Sequence, residues 1–113
     1  MCGIAWIVKF SGQIESESIK RMTDAIAHRG PDQDGIWLNE DRNVGFGHRR
    51  LAIIDLSDKA SQPMSYANNQ LTITFNGEIY NYLELTRLLV AAGYTFKSAS
   101  DTWLIEPQYR LRI

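Results

Sequence analysis

Four groups of residues in this sequence could do more than pack. The first is Cys2, the sole cysteine, directly after Met1 and before Gly3. A lone cysteine is most often a small buried hydrophobe. At this position, however, removal of Met1 would leave a thiol and a free α-amino group on one residue. Such an amine titrates at about 7.7–8.0 and a thiol at about 8.5, so near neutral pH the amine can take the thiol proton. The result would be a nucleophile with its own base, and Gly3 would let a substrate approach the backbone. The second group is Phe75-Asn76-Gly77-Glu78. Asn-Gly is a common hairpin dipeptide. Equally, the Asn76 amide and the Gly77 N–H could aim two donors at one oxygen, an oxyanion hole in which a single donor is worth about 2.7–4 kcal/mol in a related acyl transfer.

The third group is His48-Arg49-Arg50 inside an otherwise apolar run. Arg50, beside Leu51 in a half-buried strand, needs a partner, and a carboxylate held through two N–H bonds is the best geometric match. His48 and Arg49 read as structural or solvated. The fourth is Asp101, which could hold an ammonium group or merely cap a helix. An arginine for a carboxylate and an aspartate for an ammonium would together grip an α-amino acid. Cys2 would then attack its side chain.

The frame that must position these residues is a chain of 113, 44% hydrophobic and 22% charged, enough for one domain's core and too apolar for disorder. With 12 Lys+Arg against 13 Asp+Glu, the net charge of -1 gives no general attraction to nucleic acid, and no basic aromatic stripe is present. The apolar opening, Cys2 to Val8, is too short to span a bilayer and has no basic residue before it. One cysteine allows no internal disulfide, and with two histidines a zinc site of Cys and His is not expected. A thiol redox protein would need a second, resolving cysteine. The expectation is a cytoplasmic protein, with no metal and no cofactor of its own.

Along the chain, CGIAWIVKF reads as a strand closing on Ser11-Gly12. Ser16 is placed to cap a helix with Ile19, Met22 and Ile26 on its inner face, stopped by Gly30-Pro31. A loop to Gly35, a short strand Ile36–Leu38 and a turn over Asn39–Asn43 lead into an extended Val44–Ile54, whose Gly45 and Gly47 suggest close backbone approach. A polar loop, Asp55–Ser65, precedes a strand Leu71–Phe75. Asn81 and Glu84 read as a capping pair for a helix through Ala92, with Gly93 as its stop. Tyr94–Lys97 reads as a short strand, and Asp101 as the N-cap of a last helix that Pro107 would cut short. Strands and helices in mixed order indicate an α+β fold.

Several of these stretches recur together in one family. MCGI (Met1–Ile4), HRGPD (His28–Asp32), RLAIID (Arg50–Asp55), QPM (Gln62–Met64), FNGEIYN (Phe75–Asn81) and SD (Ser100-Asp101) resemble, in the same order, the glutaminase domain of class II glutamine amidotransferases. Within it, HRGPD, the RL-x-I-x-D run and NGEIYN look most like the glutamine-hydrolysing asparagine synthetases. The resemblance implies an N-terminal-nucleophile hydrolase, a four-layer αββα sandwich. It implies that Cys2 forms a γ-glutamyl thioester and releases ammonia, with its freed α-amino group as base. It also implies that Asn76 and Gly77 form the oxyanion hole and that Arg50, Asn76, Gly77, Glu78 and Asp101 bind glutamine. His28, Arg29 and Asp32 would support the site. ATP, Mg2+ and aspartate are implied for a separate synthetase domain, and a homo-oligomer is left open.

The resemblance covers residues 1–102. After Thr102 the stretch WLIEPQYRLRI departs from the family pattern, which usually continues with Glu and an apolar helix. The expectation is therefore a partial glutaminase domain over 1–102, an incomplete sandwich, with an atypical tail over 103–113 from truncation or a frameshift. Weak or absent glutaminase activity would follow for the isolated chain, since an oxyanion hole needs rigid support. The alternatives are an inactive fragment or non-catalytic interaction module, and a class II amidotransferase with another acceptor.

Overall fold

The computed structural model describes residues 1–52, 60–66, 68–96 and 99–105. These fall into two compact units, one of Met1–Ile53 with Ser61–Asn76, the other of Ile54–Ala60 with Gly77–Ile113. The described part is α+β, with two sheets and two α-helices, as the mixed order of elements predicts.

The first unit is built on three antiparallel strands in the order β1 (Gly3–Val8), β3 (Val44–Arg50), β2 (Gln33–Leu38). Central β3 sets Arg49 opposite Gly3 on one side and Arg50 opposite Gln33 on the other. Strand alternation then gives the sheet two faces. Ala5, Gly47 and Arg49 face α1 (Ser16–Ala25) and Gly3 faces Ile26 and Arg29 just after it, while His48, Arg50, Gln33, Gly35 and Trp6 look the other way. On that far face Trp37 and Phe46 stack with ring centroids 5.3 Å apart, and Trp6 beside them is 64% exposed.

Close approach of α1 depends on the glycine in the middle of β3. A Cβ on Gly47 would lie 1.9 Å from Thr23 Oγ1. Thr23 fits because its hydroxyl donates back to the Ile19 carbonyl at 2.8 Å, so nothing polar is left unpaired there. This changes the expected inner face: Ile19 and Thr23 are buried and Met22 is exposed. Ser16 is not the cap either. The cap position belongs to Glu15, without a side-chain bond, and Ser16 Oγ accepts from Arg42 Nη2 at 3.1 Å. Arg42 also reaches the Ile14 carbonyl, so the helix start is tied to the β2–β3 turn. In that turn Asn39 Oδ1 accepts from the N–H groups of Asn43 and Val44. Arg49 is structural: its Nε donates to the Thr23 carbonyl at 3.1 Å and its Nη2 to Asp24 at 2.7 Å.

Other boundaries moved because pairing, not local pattern, decides where strands begin. Gln33–Gly35 belongs to β2 rather than to a loop, since β3 supplies its partner. The end of the expected polar loop is β4 (Met64–Tyr66), paired antiparallel with β5 (Leu71–Ile73) through a turn with Asn68 and Asn69 at φ 55 and 65. Residues 55–59 of that loop, and 53–54 at the end of the extended run expected over Val44–Ile54, lie outside the described residues.

In the second unit, α2 (Tyr82–Ala91) begins after Asn81 as expected, but Asn81 makes no side-chain cap bond. Gly93, at φ 92, stops the helix, and Tyr94 N–H bonds the Leu89 carbonyl. Residues 94–96 are irregular rather than a strand, and Lys97 lies outside the described residues. The final element is a 3-10 turn, Asp101–Leu104. Its cap is Ser100, which accepts from Thr102 N–H, so Asp101 is not the N-cap. Pro107 lies outside the described residues.

Candidate functional site

The candidate residues form two groups, one in each unit. In the first unit, Cys2 directly precedes β1 and lies at the end of the sheet where β3 finishes at Arg50. The Leu51 N–H donates to Cys2 Sγ at 3.3 Å, and the thiol faces the Leu51 carbonyl at 3.8 Å. The peptide after Arg50 therefore fixes the sulfur. Arg50 is 8% exposed, and its Nη1 donates to Gln33 Oε1 at 2.9 Å. The Gln33 amide, directly opposite on β2, orients the guanidinium from the far face of the sheet.

Two residues of the HRGPD stretch, Gly30 and Asp32, pack on this end of the sheet. Asp32 N–H donates to the Arg50 carbonyl at 3.1 Å and Asp32 Oδ2 accepts from Ala52 N–H at 2.8 Å. Gly30 lies flat on β3, where a Cβ would come within 2.4 Å of the Arg49 carbonyl group. His28 is exposed.

Asn76 closes the first unit, and the chain before it is clamped. Phe75 N–H donates to Gln62 Oε1 at 2.6 Å, and the Phe75 carbonyl lies 3.3 Å from His48 Nε2. A carbonyl only accepts, so His48 carries its proton on Nε2 when this bond is made. His48 is 1% exposed. Burial pushes its pKa below the ordinary value near 6.5; the Phe75 carbonyl opposes this and the Arg50 charge adds to it. The imidazole is thus held neutral. Asn76-Gly77 does not close a hairpin: after β5 the chain runs on to α2.

In the second unit, Gly77 and Glu78 are exposed and lead into Ile79. Ile79 N–H donates to Asp101 Oδ2 at 2.8 Å. Asp101 is 6% exposed, and its other oxygen, Oδ1, bonds nothing among the described residues. The carboxylate therefore holds the Gly77–Ile79 loop with one oxygen. Reading the residues alone missed two contributors, His48, set aside as structural or solvated, and Gln62. The signal for Gln62 was its place in QPM; His48 lay beside the more conspicuous Arg50.

Among the described residues, no group of three or more His, Cys, Asp or Glu side chains is placed to hold a metal ion. Among them, too, no helix is long and apolar enough to cross a membrane.

Comparison with known proteins adds a family. The model of the glutamine amidotransferase domain matches residues 1–110. The chain is 51% identical over 96 residues to glutamine-hydrolysing asparagine synthetase 1 of Bacillus subtilis, covering 85% of this chain and 15% of that protein. It is 45% identical over 101 residues to a putative asparagine synthetase 2 of Methanocaldococcus jannaschii, covering 75% and 20%. With asparagine synthetase 3 of Bacillus subtilis it shares 40% identity over 113 residues, covering 96% and 18%. The chain spans a fifth or less of the length of these relatives.

Proposed function

This chain belongs to the glutamine amidotransferase domain family, and on that basis we propose that it hydrolyses glutamine with Cys2 as nucleophile. The observation that carries the reading is the placement of Cys2 Sγ on the Leu51 peptide, at the end of the sheet where β3 finishes at Arg50. Once Met1 is removed, the α-amino group of Cys2 takes the thiol proton and the sulfur attacks the side-chain amide carbon of glutamine. The carbonyl oxygen gains negative charge, which the Asn76 amide and Gly77 N–H receive. The carbon–nitrogen bond breaks and ammonia leaves with the proton from the α-amino group. Water then hydrolyses the thioester to glutamate and restores the thiol. Arg50 binds the substrate carboxylate, Asp101 Oδ1 its ammonium group, and Glu78 lies in the same loop.

By the same reading the ammonia serves an ATP- and Mg2+-dependent amidation of aspartate, carried out by a synthetase domain of the kind in the longer relatives. The cytoplasm suits such chemistry. The layers of the first unit support an N-terminal-nucleophile architecture: α1, then the β1–β3–β2 sheet, then the chain around β4 and β5 on its far face at Gly35 and His48.

The test is ammonia release from glutamine by the protein and by Cys2→Ala, with intact mass recording Met1 and any γ-glutamyl adduct. Release or adduct formation that depends on Cys2 in the Met1-free protein supports the reading. Equal release by Cys2→Ala overturns it, and so does neither release nor adduct from the Met1-free protein.

A further inference from the structure

Asn76 can serve a reaction only if its main chain is fixed, and the residue before it is gripped from both sides. Gln62 Oε1 takes the Phe75 N–H at 2.6 Å, and His48 Nε2 meets the Phe75 carbonyl at 3.3 Å. The two grips come from separate places: His48 from the central strand of the first sheet, Gln62 from the segment leading into β4. Gln62 is itself seated, because its carbonyl lies over Gly35, where a Cβ would come within 2.0 Å. Gly35 and His48 are directly opposed across β2 and β3, so both grips stand on one part of one sheet face.

We propose that His48 and Gln62 are positioning residues for glutamine hydrolysis, clamping the Phe75 peptide so that the Asn76 donor is aimed before substrate arrives. The proposal rests on the function assigned above to Asn76. Neither side chain touches the reacting atoms; each acts through Phe75. Hydrolysis adds negative charge to one oxygen only in the transition state, so misplacing a donor slows the chemical step more than it weakens substrate binding. A 1 Å misplacement by a residue outside the reaction can cost on the order of a hundredfold. A neutral imidazole suits the role, since it donates through Nε2 without setting a second positive charge beside Arg50.

Two measurements test this separately from the parent reading. The first needs no activity: amide hydrogen exchange at Phe75, followed by NMR in the wild-type chain and in Gln62→Met. The expected result is exchange at least about tenfold faster at Phe75, the size of one lost hydrogen bond, with the β1–β3 amides unchanged. Unchanged exchange at Phe75 overturns the clamp. The second is steady-state glutamine hydrolysis by His48→Met and His48→Gln. Loss of kcat on the order of a hundredfold in His48→Met, with KM within about twofold, is expected. Recovery of most of it is expected in His48→Gln, which restores an N–H donor. Equal loss in both variants, or a change confined to KM, overturns the positioning role. If the wild-type chain fails the Cys2 test, the proposed function falls and the exchange measurement alone judges the clamp.

Discussion

Gly30→Ala should damage the first unit far more than one methyl group suggests. Gly30 has φ -152 and ψ 89, which alanine adopts without strain, so any cost is steric. The added Cβ would lie 2.4 Å from Arg49 C and O and 2.6 Å from Arg50 C. Ordinary contact begins at 3.4 Å, so backbone must move by about 1 Å, and no side chain can rotate away instead. The backbone that must move is the central strand, where Arg49 pairs with Gly3 and with Asp34. Overpacking costs about 1–3 kcal/mol, and a strained ladder bond or two adds about 1 kcal/mol each, giving about 3 kcal/mol. A 113-residue chain is expected to hold roughly 6–17 kcal/mol in total. Urea unfolding followed by tryptophan fluorescence reads this unit well, because Trp6 and Trp37 lie in its sheet. With a slope of about 2 kcal/mol per molar, the midpoint should fall by about 1.5 M. Gly12→Ala is the comparison: Gly12 has φ 72 and nothing within 4 Å, so it carries only backbone strain of about 1 kcal/mol. If Gly30→Ala unfolds no earlier than Gly12→Ala, the steric reasoning is refuted.

Three further outcomes are expected. Because burial lowers the His48 pKa, the unfolded chain binds a proton that the folded chain refuses. Stability should therefore fall as pH drops below about 6.5, at up to about 1.4 kcal/mol per pH unit, and level off below the folded-state pKa. Urea midpoints between pH 7.5 and 5 would show it, and His48→Gln should flatten that slope. Asp101→Asn keeps an oxygen for Ile79 N–H but removes the charge; KM for glutamine should rise about tenfold or more with the fold intact, whereas an unchanged KM would reduce Asp101 to a loop holder. Gly47→Val should separate α1 from the sheet and cost about 3 kcal/mol, read as a lower melting temperature; a loss under about 1 kcal/mol would mean that α1 shifts freely.

The candidate site was read from residue types and order. Cys2 at the start, two donors at Asn76-Gly77, and opposite charges at Arg50 and Asp101 define a chemistry by their functional groups alone. The helix over 82–91 followed from periodicity and its glycine stop. The one over 16–25 followed from periodicity but ends at Ala25, ahead of the expected stop at Gly30, with a 3-10 turn over Ala27–Arg29 between. Periodicity did not reveal that Thr23 rather than Met22 faces inward, because Gly47 across the interface made that choice. Nor could Ser16 be seen to spend its hydroxyl on Arg42, or Gln33–Gly35 to find a strand partner.

Residue types and their order were enough to establish which functional groups are available and that the fold mixes helix and sheet, since charge, nucleophilicity and hydrophobic period are properties of residues and their spacing. Which of those groups are held, and by what, came from tertiary contacts. They seated the Cys2 sulfur on a peptide 49 residues away, turned Asp101 from a helix cap into the anchor of the Ile79 loop, and made His48 a buried neutral donor to Phe75. Each of these is a contact between residues distant along the chain, fixed by strand register and close packing, and no local pattern encodes it.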